Sequence, residues 1–292
     1  MIIVKIMGGI GNQMFQYATG RRVAKINNIH LKLDTSSFVK EDKETTPRIF
    51  KLDHFNIDTE IATKQDIRYF KKFKKVHTKI LGRIYNPLFA NDSKYITEIG
   101  YGFNPGILNL KDDIYLDGYW QSEKYFKDIR DTLIKEFSLK TPGTAFEEQA
   151  QIITNHNAIS IHIRRGDYVS NTSLAKNYGV CGLDYYMEAI ELVTQKVENP
   201  HFFIFSDDIS WAKENLKITY SHSYVSSEYI KDYEEIILMS KCKYNIIANS
   251  SFSWWGAWLN NNPNKIVIAP KKWFRDESWI PKDIIPETWL RI

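Results

Sequence analysis

Residues 158–171, AISIHIRRGDYVSN, decide the architecture of the second half of the chain, because a strand pattern runs directly into a cluster of polar side chains. Isoleucine occupies every second position of the strand, which then delivers His162, Arg164, Arg165 and Asp167 to one place. Two adjacent guanidinium groups repel each other, and their planar forks match phosphate oxygens. The stretch therefore predicts a buried strand that ends at an anion site, and a nucleotide pyrophosphate is the leading ligand.

Two plainer explanations of this stretch stay open. Arginines at a strand end often pair with surface carboxylates, and such pairs contribute little to stability. Residues 165–167 also spell the adhesion tripeptide RGD, which would require an exposed loop on a secreted protein.

The composition describes an ordinary globular protein. The 292 residues are 43% hydrophobic and suffice for two domains, while the formal net charge of +4 is too small to indicate nucleic-acid binding. Two cysteines, Cys181 and Cys242, exclude a disulfide framework and favour a reducing cytoplasm. The apolar N-terminus is interrupted by Lys5 and then ends in glycines, so it has neither the length of a membrane span nor the layout of a signal peptide.

Strands and helices alternate in the second half of the chain. The sequence TPGT at residues 141–144 marks a domain boundary, which we place between residues 143 and 144. The pattern after it predicts strands at 158–163, 201–206, 244–248 and 265–269, and helices at 145–154, 184–197, 209–216, 230–242 and 252–260. This alternation predicts a parallel doubly wound sheet, in which ligands bind beyond the carboxyl ends of the strands.

Polar residues follow three of these strand ends and should converge on one site. They are His162 to Asp167, Ser206 to Asp208, and Asn249 to Ser251. A helix begins at Asn249 to Ser251, and its free backbone N–H groups and serine hydroxyls can bind phosphate. A serine that only caps the helix is as common as one that binds phosphate. Asp207 and Asp208 could hold a sugar hydroxyl or a metal. The chain contains no D-x-D triplet, which weakens the hypothesis of a metal site. The tryptophans at 254, 255 and 258 are expected to pack the helix onto the sheet.

The N-terminal stretch predicts a strand, a glycine turn and a helix. IIVKI at residues 2–6 is typical of a strand, and Gly8, Gly9 and Gly11 precede a helix that begins near Asn12. Met14 stands where the dinucleotide fingerprint needs its last glycine, and no Walker-type phosphate loop is present, so both of these motifs are excluded.

A basic and aromatic segment lies between these two regions. Residues 68–79 (RYFKKFKKVHTK) carry six basic side chains, with the aromatic residues at helical spacing. Such an amphipathic helix could dock on acidic lipid headgroups. A solvated helix that packs its aromatics on the core is the more common case, and we expect no nucleic-acid binding.

Three motifs together resemble the α-1,2-fucosyltransferases. They are GGIGNQMFQ at residues 8–16, HIRRGDY at 162–168 and ANSSFSWWGAW at 248–258, and GYWQSEKYF at 118–126 also resembles a segment of that family. The resemblance covers nearly the whole chain. It implies an α/β fold of GT-B type, with two Rossmann-like domains whose mainly parallel sheets face each other across a cleft. Residues 1–143 would form the acceptor-side domain, and residues 144–292 the GDP-fucose-binding domain.

The resemblance further implies a bacterial cytoplasmic enzyme, at most peripheral to the membrane, that transfers L-fucose from GDP-β-L-fucose to the 2-hydroxyl of a terminal galactose. It implies inversion, no metal and no cofactor, and an O-antigen, capsule, lipid-linked or H-type glycan as acceptor. Without a divalent ion, fixed positive charge must stabilise the leaving GDP. A GT-B transferase for another GDP-sugar such as GDP-mannose, and a non-catalytic glycan-binding protein, are the alternatives.

Roles for individual residues follow from the same resemblance. Arg164 and Arg165 would hold the pyrophosphate, Asn12 would reach toward the fucose or the attacking hydroxyl, and Glu235 would accept the guanine hydrogens where the family favours aspartate. The other donor contacts would be Gly8, Gly9, Gly11, His162, Asp207, Asp208, Asn249, Ser250, Ser251, Phe252 and Ser253.

The catalytic base stays unassigned at this point. An inverting displacement calls for a carboxylate or imidazole within reach of the acceptor hydroxyl. Asp167, Glu123 and Asp117 are candidates, and strong stabilisation of the leaving group would reduce the need for any of them.

Overall fold

The computed structural model describes residues 1–38, 48–74, 94–100, 102–111, 113–170, 178–275 and 283–292, except for the side chains of residues 167 and 170. Contacts divide the chain into two compact units. The first comprises Met1–Phe137 and Pro281–Ile284, and the second Ser138–Ile280 and Ile285–Ile292. The boundary predicted between residues 143 and 144 lies in the segment between Phe137 and the first helix of the second unit.

The first unit is built on a parallel sheet. Its strands are β1 (Ile2–Lys5), β2 (Leu31–Asp34), β3 (Glu60–Ile61), β4 (Tyr95–Thr97) and β5 (Ile114–Asp117), in the order β3-β2-β1-β5-β4. Its helices are α1 (Ile10–Asn27), α2 (Lys64–Lys71) and α3 (Arg130–Glu136). Short 3-10 turns occur at Ser36–Phe38, Leu52–His54, Pro105–Asn109, Glu123–Tyr125 and Lys127–Ile129. All pairings within this sheet are parallel.

The strand, glycine turn and helix at the N-terminus are present as predicted. Gly8 adopts φ +78°, a left-handed conformation that favours glycine, and a Cβ there would lie 2.9 Å from the amide nitrogen of Asn12. The buried side chain of Gln13 donates to the carbonyl oxygens of Gly8 (3.0 Å) and Ile49 (2.8 Å). The turn is therefore held from inside the unit by the helix that follows it.

The helix predicted over residues 68–79 differs from the observed one. Helix α2 begins at Lys64, because the side chains of Thr63 and Asp66 form a reciprocal capping box there, and it ends at Lys71. Residues 75–79 lie outside the described residues. Only Phe70 of the aromatic residues in the described part is buried, while Tyr69 and Phe73 are exposed.

The second unit contains the predicted doubly wound sheet. Its strands are β6 (Asn157–Ile163), β7 (Pro200–Ser206), β8 (His222–Tyr224), β9 (Tyr244–Ile246), β10 (Val267–Ala269) and β11 (Leu290–Arg291), in the order β11-β10-β9-β6-β7-β8. Its helices are α4 (Thr144–Thr154), α5 (Gly166–Ser170), α6 (Leu183–Thr194), α7 (Ile209–Asn215), α8 (Asp232–Lys241) and α9 (Ser251–Leu259). Every strand pairing is parallel.

The alternation of β6 sorts its side chains between two faces. Ile159, Ile161 and Ile163 join the hydrophobic core cluster under helix α6, while His162 points to the other face. On that other face, Trp254 and Trp255 of α9 are fully buried. The expectation that the tryptophans pack in the core is confirmed.

Within the described residues, no helix combines the length and the apolar composition that crossing a membrane requires.

Candidate functional site

The three polar strand ends of the second unit lie side by side. Strand β6 pairs with β7 on one side and with β9 on the other, all parallel, so their carboxyl ends meet at one edge of the sheet. Contacts between residues that follow different strands confirm the convergence. Arg164 is paired with Asp207, and the ring centroid of His162 lies 5.2 Å from that of Phe252.

Each of the two arginines is held by a carboxylate and an aromatic ring. The Nη1 atom of Arg164 lies 2.9 Å from a carboxylate oxygen of Asp207, and its guanidinium carbon lies 5.2 Å from the ring centroid of Tyr168. The guanidinium carbon of Arg165 lies 3.8 Å from the ring centroid of Trp211. Its Nε atom is buried without a hydrogen-bond partner among the described residues. The two cations are thus fixed at the sheet edge before any ligand arrives.

The partners of these arginines are the two aspartates that the sequence analysis assigned to a sugar hydroxyl or a metal. Asp207 accepts a hydrogen bond from the backbone N–H of Arg165 (2.8 Å) as well as pairing with Arg164. Asp208 caps helix α7 by accepting from the backbone N–H of Trp211 (3.1 Å), and its carboxylate lies 3.7 Å from Arg165. The pairing of strand-end arginines with carboxylates, one of the plainer explanations, is therefore present.

The glycine of the RGD sequence has a structural role. A Cβ on Gly166 would lie 2.5 Å from a carboxylate oxygen of Asp207, which is itself held by Arg164. Gly166 is also the first residue of helix α5. The close approach between the loop and Asp207 accounts for the glycine, and the side chain of Asp167 lies outside the described atoms.

His162 is a buried imidazole with an unused polar atom. Its side chain is 2% exposed, and its Nδ1 has no hydrogen-bond partner among the described residues. Burial, together with the charge of Arg164, lowers the pKa of His162 to about 3, so the ring is neutral near pH 7. The neutral ring therefore adds no charge beside Arg164, and its enclosed Nδ1 marks a polar group that the described part of the fold leaves unsatisfied.

Three serines lie at the N-terminus of helix α9, and two of their hydroxyls already form hydrogen bonds within the protein. The hydroxyl of Ser250 accepts from the backbone N–H of Phe252 (3.3 Å), and the buried hydroxyl of Ser253 donates to the carbonyl of Ala248 (3.4 Å). Among the described residues, the hydroxyl of Ser251 has no such partner. This hydroxyl and the first backbone N–H groups of the helix can bind an anion.

Asn249 has a structural role that the sequence did not reveal. Its buried side-chain amide donates to the backbone carbonyls of Tyr178 and Trp273, both at 3.1 Å, and its oxygen lies 3.5 Å from the sulfur of Cys181. The side chain therefore ties the segment before helix α6 to the loop that follows β10. It also forms part of the wall of a cavity of about 440 Å³ between those two segments.

Glu235 lies at the same sheet edge, on helix α8. Its neighbour Glu234 is committed to structure, because it accepts from the backbone N–H groups of Lys231 and Gly143, both at 2.8 Å. Burial raises the pKa of Glu235 to about 8, and nearby carboxylates add to the rise, whereas a hydrogen bond with Ser226 opposes it. The hydroxyl of Ser226 in turn accepts from the backbone N–H of Ser206, at the end of β7 (2.9 Å).

A second group of polar contacts lies in the first unit and surrounds Asn12. The side-chain oxygen of Asn12 accepts from the amide of Gln121 (2.8 Å). The turn that carries Gln121 is fastened by Glu98, whose carboxylate accepts from the backbone N–H groups of Tyr119 (2.6 Å) and Trp120 (3.1 Å). Sequence reasoning missed Glu98 and Gln121, and the only signal for Gln121 was the GYWQ segment.

Asp117 is a poor candidate for a catalytic base. Its carboxylate lies 2.9 Å from the amine of Lys5 and accepts from the hydroxyl of Tyr95 (2.6 Å). Burial alone would raise the pKa of Asp117, but Tyr95, Lys5 and Lys74 together lower it below the ordinary value. Glu123, another candidate for the base, begins a 3-10 turn.

The described His, Cys, Asp and Glu residues contain no group of three or more that could hold a metal ion.

Comparison with known proteins places the chain in a family. Residues 1–292 match the model of Glycosyl transferase family 11. The alpha-1,2-colitosyltransferase of Escherichia coli is 36% identical over 100% of this chain and 99% of its own length. The O-antigen biosynthesis glycosyltransferase WbnK of Escherichia coli is 33% identical over 98% of this chain and 99% of its own length. The galactoside 2-alpha-L-fucosyltransferase Sec1 of Mus musculus is 22% identical over 96% of this chain and 73% of its own length.

Among solved structures, Arabidopsis thaliana FUT1 in complex with GDP shares the fold. Its TM-score is 0.51 at 11% identity, and the match covers 91% of this chain and 69% of that one. The two mainly parallel sheets agree with the α/β fold of GT-B type that the sequence predicted. From the match over its full length, this chain belongs to glycosyl transferase family 11.

Proposed function

We propose that this glycosyltransferase moves L-fucose, or its 3-deoxy analogue colitose, from a GDP-sugar to the 2-hydroxyl of a galactoside in an O-antigen or a related glycan. L-Fucose is the donor that the motifs suggest, and the similarity to a colitosyltransferase supports colitose as the second candidate. Similarity to a galactoside fucosyltransferase supports a galactoside as the acceptor. The two donors share the L-galacto ring and differ at one hydroxyl.

The fixed pair of guanidinium groups at the edge of the second sheet carries this proposal. Arg164 and Arg165 lie at the carboxyl end of β6, where Asp207 and Trp211 hold their guanidinium groups from the side of β7. On the side of β6 that pairs with β9, the ring of His162 lies against Phe252 of helix α9, and the Ser251 hydroxyl of that helix has no hydrogen-bond partner among the described residues. A nucleoside diphosphate supplies the negative charge and the oxygens that such groups bind. His162 and Phe252 would lie beside the nucleotide, and Glu235 would accept the N1 and 2-amino hydrogens of guanine.

The same residues would stabilise the leaving group during transfer. The acceptor hydroxyl attacks the anomeric carbon from the face opposite GDP, the bond from that carbon to the β-phosphate oxygen breaks, and GDP leaves with the bonding electrons. Arg164 and Arg165 would offset the charge that grows on that oxygen, so we propose that the reaction needs neither metal nor cofactor. Asp167 or Glu123 would take the proton of the acceptor.

In the first unit, the proposal assigns the glycine turn to the donor and Asn12 to the sugar. Gly8, Gly9 and Gly11 would let the backbone approach the donor. The hydrogen bond from Gln121 leaves the amide nitrogen of Asn12 as the donor that can reach a sugar or acceptor hydroxyl.

A donor panel tests the proposal. The protein is incubated with GDP-L-fucose, GDP-colitose or GDP-mannose, with lactose, N-acetyllactosamine or galacto-N-biose as acceptor, with and without EDTA. We expect an α-1,2-linked product from one of the first two donors, formed equally in EDTA. Turnover of GDP-mannose alone would contradict the donor assignment. If GDP does not raise the melting temperature and no donor is consumed, the protein is instead a non-catalytic glycan-binding protein.

A further inference from the structure

A basic and aromatic surface lies on the outer side of helix α2 and of the turn that follows it, and we propose that it binds an anionic lipid surface. We call it the α2 surface. It consists of Arg68, Tyr69, Lys71, Lys72 and Phe73.

The α2 surface is presented on a firmly anchored helix. The inner side chains Ile67 and Phe70 belong to the hydrophobic cluster of the first unit, and the ring of Phe70 lies 6.2 Å from that of Tyr115. The capping box of Thr63 and Asp66 fixes where the helix begins. The orientation of the outer side chains relative to the sheet is therefore set by packing.

Two aromatic rings of the α2 surface face solvent instead of joining the core. Tyr69 is 40% exposed and Phe73 is 37% exposed, and their rings meet edge to face with centroids 5.5 Å apart. The amine of Lys94 lies 5.3 Å from the centroid of Tyr69 and 5.7 Å from that of Phe73, and it donates to the Tyr69 hydroxyl (2.9 Å). An amphipathic ring pair bordered by amines suits the boundary between headgroups and acyl chains.

The charge of the α2 surface is not balanced by the acids around it. Asp66 is occupied by its capping role and by Lys32 (3.3 Å), and Asp113 pairs with Lys94 (3.2 Å) and with the N-terminal amine (3.1 Å). In contrast, Arg68, Lys71 and Lys72 have no acidic partner within the part of the chain that the structure describes. Three cations beside exposed rings complement an anionic headgroup layer.

A lipid surface fits these features better than a nucleic acid does. The net charge of the chain is only +4, and the cations form a small cluster around aromatic side chains rather than a long stripe. The binding itself does not depend on the proposed function. Its use would be to hold the enzyme near a lipid-linked acceptor.

Vesicle binding by the full chain, without nucleotide, is the test. The protein is sedimented with phosphatidylcholine vesicles that contain about 30% phosphatidylglycerol and with pure phosphatidylcholine vesicles. We expect binding only to the anionic vesicles, weakened by 0.5 M salt. The triple variant Arg68→Gln/Lys71→Gln/Lys72→Gln should bind about 100-fold more weakly, since each basic residue near such a surface is worth about fivefold. Tyr69→Ser/Phe73→Ser should lose about tenfold.

A matched variant separates the α2 surface from net charge. Lys140→Gln/Lys196→Gln/Lys217→Gln removes the same charge from exposed positions of the second unit and should bind vesicles like the unmodified protein. Melting curves establish that each variant folds. If Tyr69→Ser/Phe73→Ser is unstable, the triple variant Arg68→Gln/Lys71→Gln/Lys72→Gln decides the outcome. Transfer to a soluble acceptor should be unchanged in every variant that folds.

Three results would overturn the proposal. The protein could fail to prefer anionic vesicles, the α2 triple variant could bind as well as the matched variant, or a duplex oligonucleotide could be bound through the same residues while vesicles are not. Because vesicle binding and sugar transfer are measured separately, failure of one leaves the other in place.

Discussion

At the scale of single residues, Arg164 and Arg165 are distinguished by how fully their surroundings hold them. Each has a carboxylate partner and a ring against its guanidinium, so little side-chain freedom is left to lose when a ligand binds. Preorganised charge of this kind is effective in stabilising a transition state.

Replacing either arginine by alanine should lower turnover about 10²- to 10³-fold, since one preorganised donor to the leaving group is lost. Arginine-to-lysine variants should fall between, because they keep the charge and lose the planar fork. Initial rates at saturating donor measure the effect, with Lys217→Ala as a surface control. Near-normal rates for both alanine variants would show that these residues do not serve the leaving group.

Glu235 would make the proposed donor site sensitive to pH. With its pKa raised from 4.5 to about 8, the folded protein holds this proton more tightly than the unfolded chain does, so this carboxyl costs stability as pH rises from about 5 to 8. Guanine presents only hydrogen-bond donors at N1 and the 2-amino group, so the proposed contact to both would favour the ionised carboxylate, which offers two acceptor oxygens.

GDP affinity should accordingly rise about tenfold between pH 7 and pH 9 and level off above the pKa of Glu235. Glu235→Gln should bind GDP weakly with little dependence on pH, and it should melt higher than the unmodified protein at pH 9. Isothermal titration calorimetry and thermal melts measure these quantities, and the exposed Glu228→Gln serves as control. An affinity that does not change with pH would argue against contact between Glu235 and guanine.

At the scale of elements, the turn after β5 depends on a carboxylate from the neighbouring strand region. Glu98 follows β4, and it satisfies two successive backbone N–H groups of a turn in which Trp120 adopts φ +56°. Gly118 is required there, because a Cβ would lie 2.3 Å from the Cβ of Glu98. This turn also positions the side chain of Gln121 so that it donates to the side-chain oxygen of Asn12.

Glu98→Gln should destabilise the protein by about 1–3 kcal/mol, because an amide nitrogen would replace one acceptor oxygen and face a backbone donor. Chemical denaturation measures the change, and hydrogen exchange should quicken at residues 119–121. Glu60→Gln, at a side chain that is 71% exposed, should leave stability unchanged. Equal stabilities of the two variants would mean that the turn forms without Glu98.

At the scale of the whole molecule, the proposed division of labour between the two units can be followed with the intact chain. Saturating GDP should slow hydrogen exchange in the second unit at residues 158–166, 206–211 and 249–254, because the nucleotide would cover the carboxyl edge of that sheet. In the first unit the effect should be confined to the turn at residues 8–12, with β2 and β3 unchanged. Protection confined to the first unit would reverse the assignment of the donor domain.

Much of this organisation followed from patterns that are local in the chain. The alternating isoleucines of residues 159–163 and the apolar runs before each polar strand end predicted four of the six strands of the second sheet and the convergence of their ends, since periodicity reports which face is buried. Strands β8 (HSY) and β11 (LR) escaped prediction, because strands this short are defined by their pairing with β7 and β10. The predicted start of helix α2 at residue 68 was also wrong, because the capping box of Thr63 and Asp66 starts the helix at Lys64.

The sequence by itself determined the fold class, the family resemblance and the arginines at the centre of the candidate site, because these depend on residue type and spacing. Only the tertiary structure decided what each polar group has left to offer. Asp207 and Asp208 are occupied by arginines and a helix cap, and Asn249 by backbone carbonyls, while the Nδ1 atom of His162 has no partner among the residues that the structure describes. The physical reason is that a hydrogen-bonding atom can serve a ligand only if the fold has not already satisfied it, and its partners come from distant parts of the chain.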